Sequence, residues 1–322
     1  MGDAQHGLGV DLGGTTTAIA MIAGDGAIVA EEHIETRSYE GPDSVLRRIG
    51  EAACRVKAQA GCAPRALGMG VPGLADIANG IVRFLPNLEG NWRGVKAREI
   101  LEPMVECPVR LLNDVRTATL GELTFGHGRN GRKETMVFLA LGTGVGGGVV
   151  IDGALRLGPL GAAGELGHMI VEPDGVRCGC GSQGCLECYS SGPALAGEGV
   201  RLLRSGQAPK LYEIVKGDPG KVDPKTMGMA AAEGDDAIRT AIRRAAHYLG
   251  IGIANMVVAI HPSLVVLGGG VAGIGDLLFD TVRDTLKQRV YMMPVDDIKI
   301  LPSALGDKAG VLGAGALAIH GI

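Results

Sequence analysis

Apolar residues fall along this chain in two different periods. One is a set of short, nearly continuous apolar runs that end in glycine: LGVDLGGTTT over 8–17, FLALGTGVGGG over 138–148 and LVVLGGGVAG over 264–273. Runs of this length, closed by glycines, predict buried strands entering tight turns. The other is a helical period. Val45, Leu46, Ile49, Ala52, Ala53 and Val56 recur on one face behind Pro42, which predicts a helix over 42–60. Helices are also expected over 94–105 and 309–320, and over 235–260, loosened by Gly250 and Gly252. RALGMGVPG (65–73), IVRFLPNLEGNW (81–92) and VRLLND (109–114) read as strands running into turns or loops, and the polar stretch 205–225 as a surface excursion. Short strands alternating with helices predict an α/β protein with open sheets.

The first two glycine-ended runs read as copies. Each continues into an apolar strand, an Asp-Gly turn (Asp25-Gly26 and Asp152-Gly153) and a further strand. The repeat predicts two similar halves. Turns of this kind point successive backbone N–H groups outward and cradle phosphate without cationic side chains. Gly142, Gly144 and Gly147 match G-x-G-x-x-G, but VVIDG follows where the dinucleotide fingerprint requires a helix, so that reading is rejected. The P-loop pattern is absent.

Composition narrows the setting. The 322 residues suggest about two domains, and 46% hydrophobic content is enough for a substantial core. A net charge of −4 without blocks of like charge favours neither nucleic acid nor a membrane surface. No apolar run reaches the roughly 18 residues of a membrane span, and the first residues lack the pattern of a signal peptide. Seven cysteines, four of them between 178 and 188, fit a reducing cytoplasm and a metal better than disulfides. Cys54, Cys62 and Cys107 are expected to be core thiols. Glycine is the other unusual number, 54 residues or about one in six, against about one in fourteen ordinarily.

Candidate chemistry is densest in GELGHMIVEPDGVRCGCGSQGCLE, residues 164–187. His168, Cys178, Cys180 and Cys185 supply one imidazole and three thiolates, the donor set of a closed tetrahedral zinc site. Three separate buried thiols are the ordinary alternative, and the tight glycine-rich spacing favours the metal. Glu165 and Glu187 flank the ligands and suggest a polar small-molecule site. Asn113-Asp114 closes a predicted strand at its carboxyl end, where α/β folds place ligands. Asp114 there either caps the next helix or accepts a proton from an attacking hydroxyl. Trp92 is expected to pack its loop, Arg239, Arg243 and Arg244 to form a solvated face, and His247 and His261 to sit at helix ends.

DLGGTTT, ND…LGE (113–122), LGTGVGGG, GAAGELGH, CGCGSQGCLE and VLGGGVA, in this order over nearly the whole chain, resemble the ROK family of bacterial sugar kinases and repressors. The resemblance implies the actin-like, ribonuclease-H-like duplicated fold, with two α/β lobes around a central cleft. The expected division is 1–112 plus 307–322 for a small lobe and 113–306 for a large lobe carrying the zinc. It implies Asp114 as catalytic base, with Asn87, Asn113, Asp114, Glu165, His168 and Glu187 on the sugar. His168 would bind zinc through one ring nitrogen and the sugar through the other. Asp11, Gly13, Gly14, Thr15, Thr16, Gly142, Thr143 and Gly144 would hold the nucleotide's phosphates and Mg²⁺, the metal reached from Asp11 through water; Gly269 and Gly270 would border the adenosine.

Two departures stand out. Arg116 replaces the second Asn that many members carry, which bears on sugar specificity, and Thr16 stands where some have Lys. The implied activity is ATP-dependent transfer to a hexose, glucose at its 6-hydroxyl being the expected sugar, towards which Leu166 leans, at the start of glycolysis. N-acetylglucosamine, N-acetylmannosamine, fructose or a polyphosphate donor are the alternatives. A sugar-responsive repressor is disfavoured because the first phosphate turn begins at Asp11, with no helix-turn-helix ahead of it. The family's habit implies a cytoplasmic dimer or tetramer.

Overall fold

A computed structural model describes residues 5–85, 88–129 and 133–322. The chain opens with the strands β1 (His6–Leu12), β2 (Thr16–Ala23) and β3 (Ile28–Glu35). Helix α1 (Pro42–Ala60), strands β4 (Leu67–Val71), β5 (Leu74–Asp76) and β6 (Ile81–Phe84), helix α2 (Ala97–Val105), strand β7 (Val109–Asn113) and helix α3 (Asp114–Thr124) follow. The pattern then restarts with β8 (Met136–Leu141), β9 (Val145–Ile151) and β10 (Ala154–Leu155). Helices α4 (Glu187–Ser190), α5 (Gly192–Arg204), α6 (Pro209–Val215), α7 (Pro224–Ala232) and α8 (Asp236–Ile260) lead to β11 (Leu264–Gly268). Helix α9 (Asp276–Arg289), strand β12 (Lys299–Pro302) and helix α10 (Ala309–His320) close the chain.

The two halves carry the same sheet topology. The first sheet runs β3-β2-β1-β4-β7 and the second β10-β9-β8-β11-β12. In each, an antiparallel hairpin supplies one side: β1 pairs with β2 and β8 with β9. In each, parallel strands then extend the other side, β1–β4–β7 and β8–β11–β12. The repeat therefore survives as strand order and direction. At the second Asp-Gly turn both residues have positive φ, 53° at Asp152 and 75° at Gly153, as a two-residue hairpin turn requires.

The chain divides into two compact units. The first holds residues 1–133, 153–164 and 303–322, and the second 134–152 and 165–302. In the first, α1 begins at Pro42, ends at Gly61 in the left-handed region, and buries the apolar face read from the sequence. Trp92 is buried in this unit, its Nε1 donating to the Glu89 carbonyl at 2.9 Å. The last helix, α10, is also part of this unit and lies at backbone distance from its neighbours. A Cβ at Gly68 in β4 would overlap the Ala314 carbonyl oxygen, and one at Gly313 the Thr117 carbonyl oxygen of α3. Much of the high glycine content thus serves close packing of strand, helix and helix. Buried Glu122 on α3 fastens the segment leading into α10, accepting from Ser303 Oγ and from the Leu305 backbone N–H at 3.0 Å.

The core of the second unit joins β8 and β11 to α5, α8 and α9. Helix α8 is one uninterrupted helix of 25 residues, so Gly250 and Gly252 do not loosen it. They are close-packing points: a Cβ at Gly250 would overlap Thr285 of α9, and one at Gly252 would press on Leu186. The stretch 205–225 is not wholly an excursion: it carries helix α6, which buries Leu211 and Val215 behind the buried Ala208. His261 caps α8 in the left-handed region, whereas His247 lies within the helix and pairs with Thr285 Oγ1 at 3.2 Å. Arg243 and Arg244 are exposed as expected, whereas Arg239 is half-buried with its Nε donating to the Ala231 carbonyl at 2.7 Å; Cys54 is exposed and Cys62 and Cys107 half-buried rather than core. Among the described residues no helix is long and apolar enough to cross a membrane.

Candidate functional site

In the first unit the chemistry gathers where β7 gives way to α3. Asn113 is the N-cap of α3, and its Oδ1 accepts the backbone N–H groups of Val115 and Arg116 at 3.0 and 3.1 Å. Asp114 is the first residue of the helix, half-buried, with Oδ1 accepting the Val115 N–H at 2.8 Å. The carboxylate sits at the N-terminal turn of α3, where backbone N–H groups point outwards. The capping role thus belongs to Asn113, and Asp114 holds its carboxylate beside the cap. Arg116, marked in the sequence only by its departure from a family pattern, is 2% exposed. Its Nη1 donates to Asn113 Oδ1 at 2.8 Å, and Nε and Nη2 donate to the carbonyls of Ala163 and Ala162.

The first glycine turn belongs to the same unit and joins β1 to β2. Gly14, Thr15 and Thr16 are exposed. Thr36 braces the turn from β3's end, its hydroxyl donating to the Gly13 carbonyl at 2.8 Å and its N–H to that of Thr15 at 2.8 Å. Asp11 sits on β1 ahead of this turn, against Gly310 at the start of α10. Burial pushes its carboxyl up to about 6. Asn87, expected on the sugar, lies outside the described residues.

In the second unit the zinc expectation meets a compact donor set. One ligand atom from each of His168, Cys178, Cys180 and Cys185 lies within 4.8 Å of all the others. Three thiols and one imidazole at this mutual distance fit a tetrahedral zinc. His168 Nδ1 faces Cys178 Sγ at 3.7 Å, so Nδ1 is the ring nitrogen turned towards the sulfurs. Burial pushes the Cys185 thiol up to about 12, while a backbone hydrogen bond from Ser182 lowers that of Cys180. Binding of zinc would therefore displace thiol protons.

Glu187, on the first turn of α4, bridges this cluster, where its Oε1 lies 4.0 Å from Cys178 Sγ, and the second glycine turn. Its Oε2 accepts the Val145 N–H at 2.9 Å, and a Cβ at Gly144 would overlap that oxygen. The N–H of Gly142 bonds the Gly144 carbonyl at 3.0 Å. The turn thus spends two of its N–H groups internally or on Glu187, a coupling between the glycine turn and the cysteine segment that spacing alone could not reveal. Glu165 is exposed at the start of a 3₁₀ turn holding Leu166–His168. Gly269 and Gly270 are exposed beyond β11; Gly269 has φ 84°, and a side chain there would also overlap the Leu141 backbone. Within the second unit, then, Glu187 and His168 share contact with Cys178, and Gly144 abuts Glu187.

Comparison with known proteins gives the same picture across the chain. A family model described as "ROK family" matches residues 7–320. A glucokinase of Thermotoga maritima is 37% identical over 316 residues, 96% of each chain. A crystal structure of a ROK family glucokinase from Streptomyces griseus, in complex with glucose and AMPPNP, has a TM-score of 0.82 at 32% identity, covering 97% of this chain and 98% of that one. A xylose repressor of Caldicellulosiruptor bescii is 31% identical, with 97% of this chain matching 77% of that protein.

Proposed function

We propose that this chain, which belongs to the ROK family and shares its actin-like ATPase fold, is an ATP-dependent hexose kinase that transfers the γ-phosphoryl group to the 6-hydroxyl of glucose. The observation that carries the reading is Asp114, a carboxylate held at the end of β7 by a helix N-terminus, in a chain similar over its full length to glucokinases. Similarity to a xylose repressor makes sugar binding alone the competing outcome. A retained carboxylate at a helix start supports chemistry over sensing.

Phosphoryl transfer through a loose transition state asks the protein for positioning and for charge stabilisation more than for a strong base. The sugar oxygen bonds to the γ-phosphorus as the bond from that phosphorus to the β-bridging oxygen breaks, and the nucleoside diphosphate leaves. Asp114 accepts the hydroxyl proton and, before that, fixes the direction of the oxygen's lone pair. Asn113, Glu165, His168 and Glu187 are assigned to the remaining hydroxyls, His168 through Nε2 because Nδ1 faces the sulfurs. Asn87 joins them on the strength of the resemblance. The exposed turn Gly13–Thr16, with Thr143 and Gly144, is assigned to the phosphates, and Gly269 and Gly270 to the adenosine. Mg²⁺, when bound, supplies the charge neutralisation that this lysine-free turn lacks; Asp11 is the carboxylate that would hold it through water. Zinc on His168, Cys178, Cys180 and Cys185 would fix Glu187 and His168 in place.

Asp114→Asn keeps the shape and removes the proton acceptor. The variant is expected to lose at least roughly 100-fold in kcat, the lower part of the range for a general base, while still binding glucose in a calorimetric titration. Turnover within about tenfold of the parent would remove Asp114 from the role of base.

A further inference from the structure

We infer that Arg116 is a positioning residue for sugar recognition: it locks the Asn113 amide so that this side chain can offer only an N–H to the ligand. The inference rests on the kinase reading and deepens it. Asn113 Oδ1 accepts three donors, the Val115 N–H at 3.0 Å, the Arg116 N–H at 3.1 Å and Arg116 Nη1 at 2.8 Å. Its Nδ2 donates to the carbonyl of Gly73, which follows β4, at 3.0 Å. A guanidinium has five donors and no acceptor, so the oxygen of the amide must face it. Rotating the amide by 180° would turn an NH₂ group towards three N–H donors and set its oxygen against a carbonyl. Every one of these hydrogen bonds would become repulsive or unmade. The orientation is therefore fixed by the network, and the second Nδ2 hydrogen is what the side chain has left to give.

Two consequences follow for the sugar. The hydroxyl that meets Asn113 must act as acceptor there, and its own proton is directed to another group, for which the site's carboxylates are suited. Arg116 also pins the carbonyls of Ala162 and Ala163, at 3.1 and 2.9 Å, shortly before Glu165 in sequence. One buried guanidinium thus fixes both the amide of Asn113 and the backbone that precedes Glu165. An asparagine at 116 is too short to span these oxygens. A lysine supplies the charge as a single point, without the planar fork that meets three oxygens at once.

The test is a comparison of glucose with its 2-, 3- and 4-deoxy and deoxyfluoro analogues, for the parent, Arg116→Met and Arg116→Lys. Fluorine accepts weakly and cannot donate, whereas hydrogen does neither. In the parent, one position should show a deoxy analogue with KM about three- to tenfold above its fluoro counterpart, the worth of one hydrogen bond. In Arg116→Met, KM for glucose should rise about tenfold, with kcat changed less than about threefold, and the deoxy-to-fluoro ratio should fall towards one. Arg116→Lys should lie between, and it carries the test if the methionine variant fails to fold. An unchanged glucose KM and an unchanged analogue ratio, with only a lower melting temperature, would make Arg116 structural and overturn the inference. A parent enzyme that turns over no hexose would instead overturn the kinase reading, and this inference with it.

Discussion

Asp11 shows how one residue's surroundings set a measurable property. Burial on β1 raises its carboxyl to about 6, from roughly 3.9 for an exposed aspartate. The folded state then holds this proton more tightly than the unfolded chain. Its contribution to stability is present at low pH and is lost as pH rises from about 4 through 6, a cost of up to about 3 kcal/mol by pH 7. Asp11→Asn should therefore raise the urea midpoint at pH 8 in the absence of Mg²⁺, with the gain vanishing near pH 4; an equal gain at both would refute burial of the charge as the cause. At this scale the sequence was informative where residue type and spacing carry the chemistry. The CxC spacing and His168 were enough to name a donor set that lies within 4.8 Å. The role of Arg116 was not legible, since its three oxygens come from two carbonyls 46 and 47 residues away and from a cap. Nothing local in the sequence records such partners.

At the scale of elements, the glycine-ended strands and the helix at 42–60 follow directly from apolar period and breakers. Helix α6 did not, because its two buried positions, Leu211 and Val215, sit among lysines, prolines and glycines that read as loop. Glycine was the ambiguous letter. In the turn at Gly144 it gives room to Glu187, in α8 at Gly250 it gives room to Thr285, and sequence period cannot separate a close approach from a break. The cysteine segment is the element on which the proposed function draws most: its ligands, when closed on zinc, would hold His168 and Glu187. Cys180→Ser should lose bound zinc by elemental analysis and raise the glucose dissociation constant about tenfold or more, the usual cost of disturbing groups behind a ligand. Parental sugar affinity in a metal-free variant would separate the metal from recognition.

For the whole molecule, two sheets of the same strand order descend from a repeat visible as strand, glycine turn, strand and Asp-Gly turn. The strand order was not legible, whereas the duplication was, because turn chemistry is local. The identity of the sugar was not, because a pocket that discriminates among hexoses does so by a few hydrogen bonds whose direction depends on tertiary neighbours. Membership of the ROK family narrows the class, and the similarity to glucokinases points to glucose. The most direct measurement is ADP release from ATP and Mg²⁺ across glucose, mannose, fructose, N-acetylglucosamine and N-acetylmannosamine, with the product's phosphorus position read by NMR. The account predicts the highest kcat/KM for glucose and phosphate on its 6-oxygen. Binding of glucose by folded protein without ADP release from any sugar would contradict it.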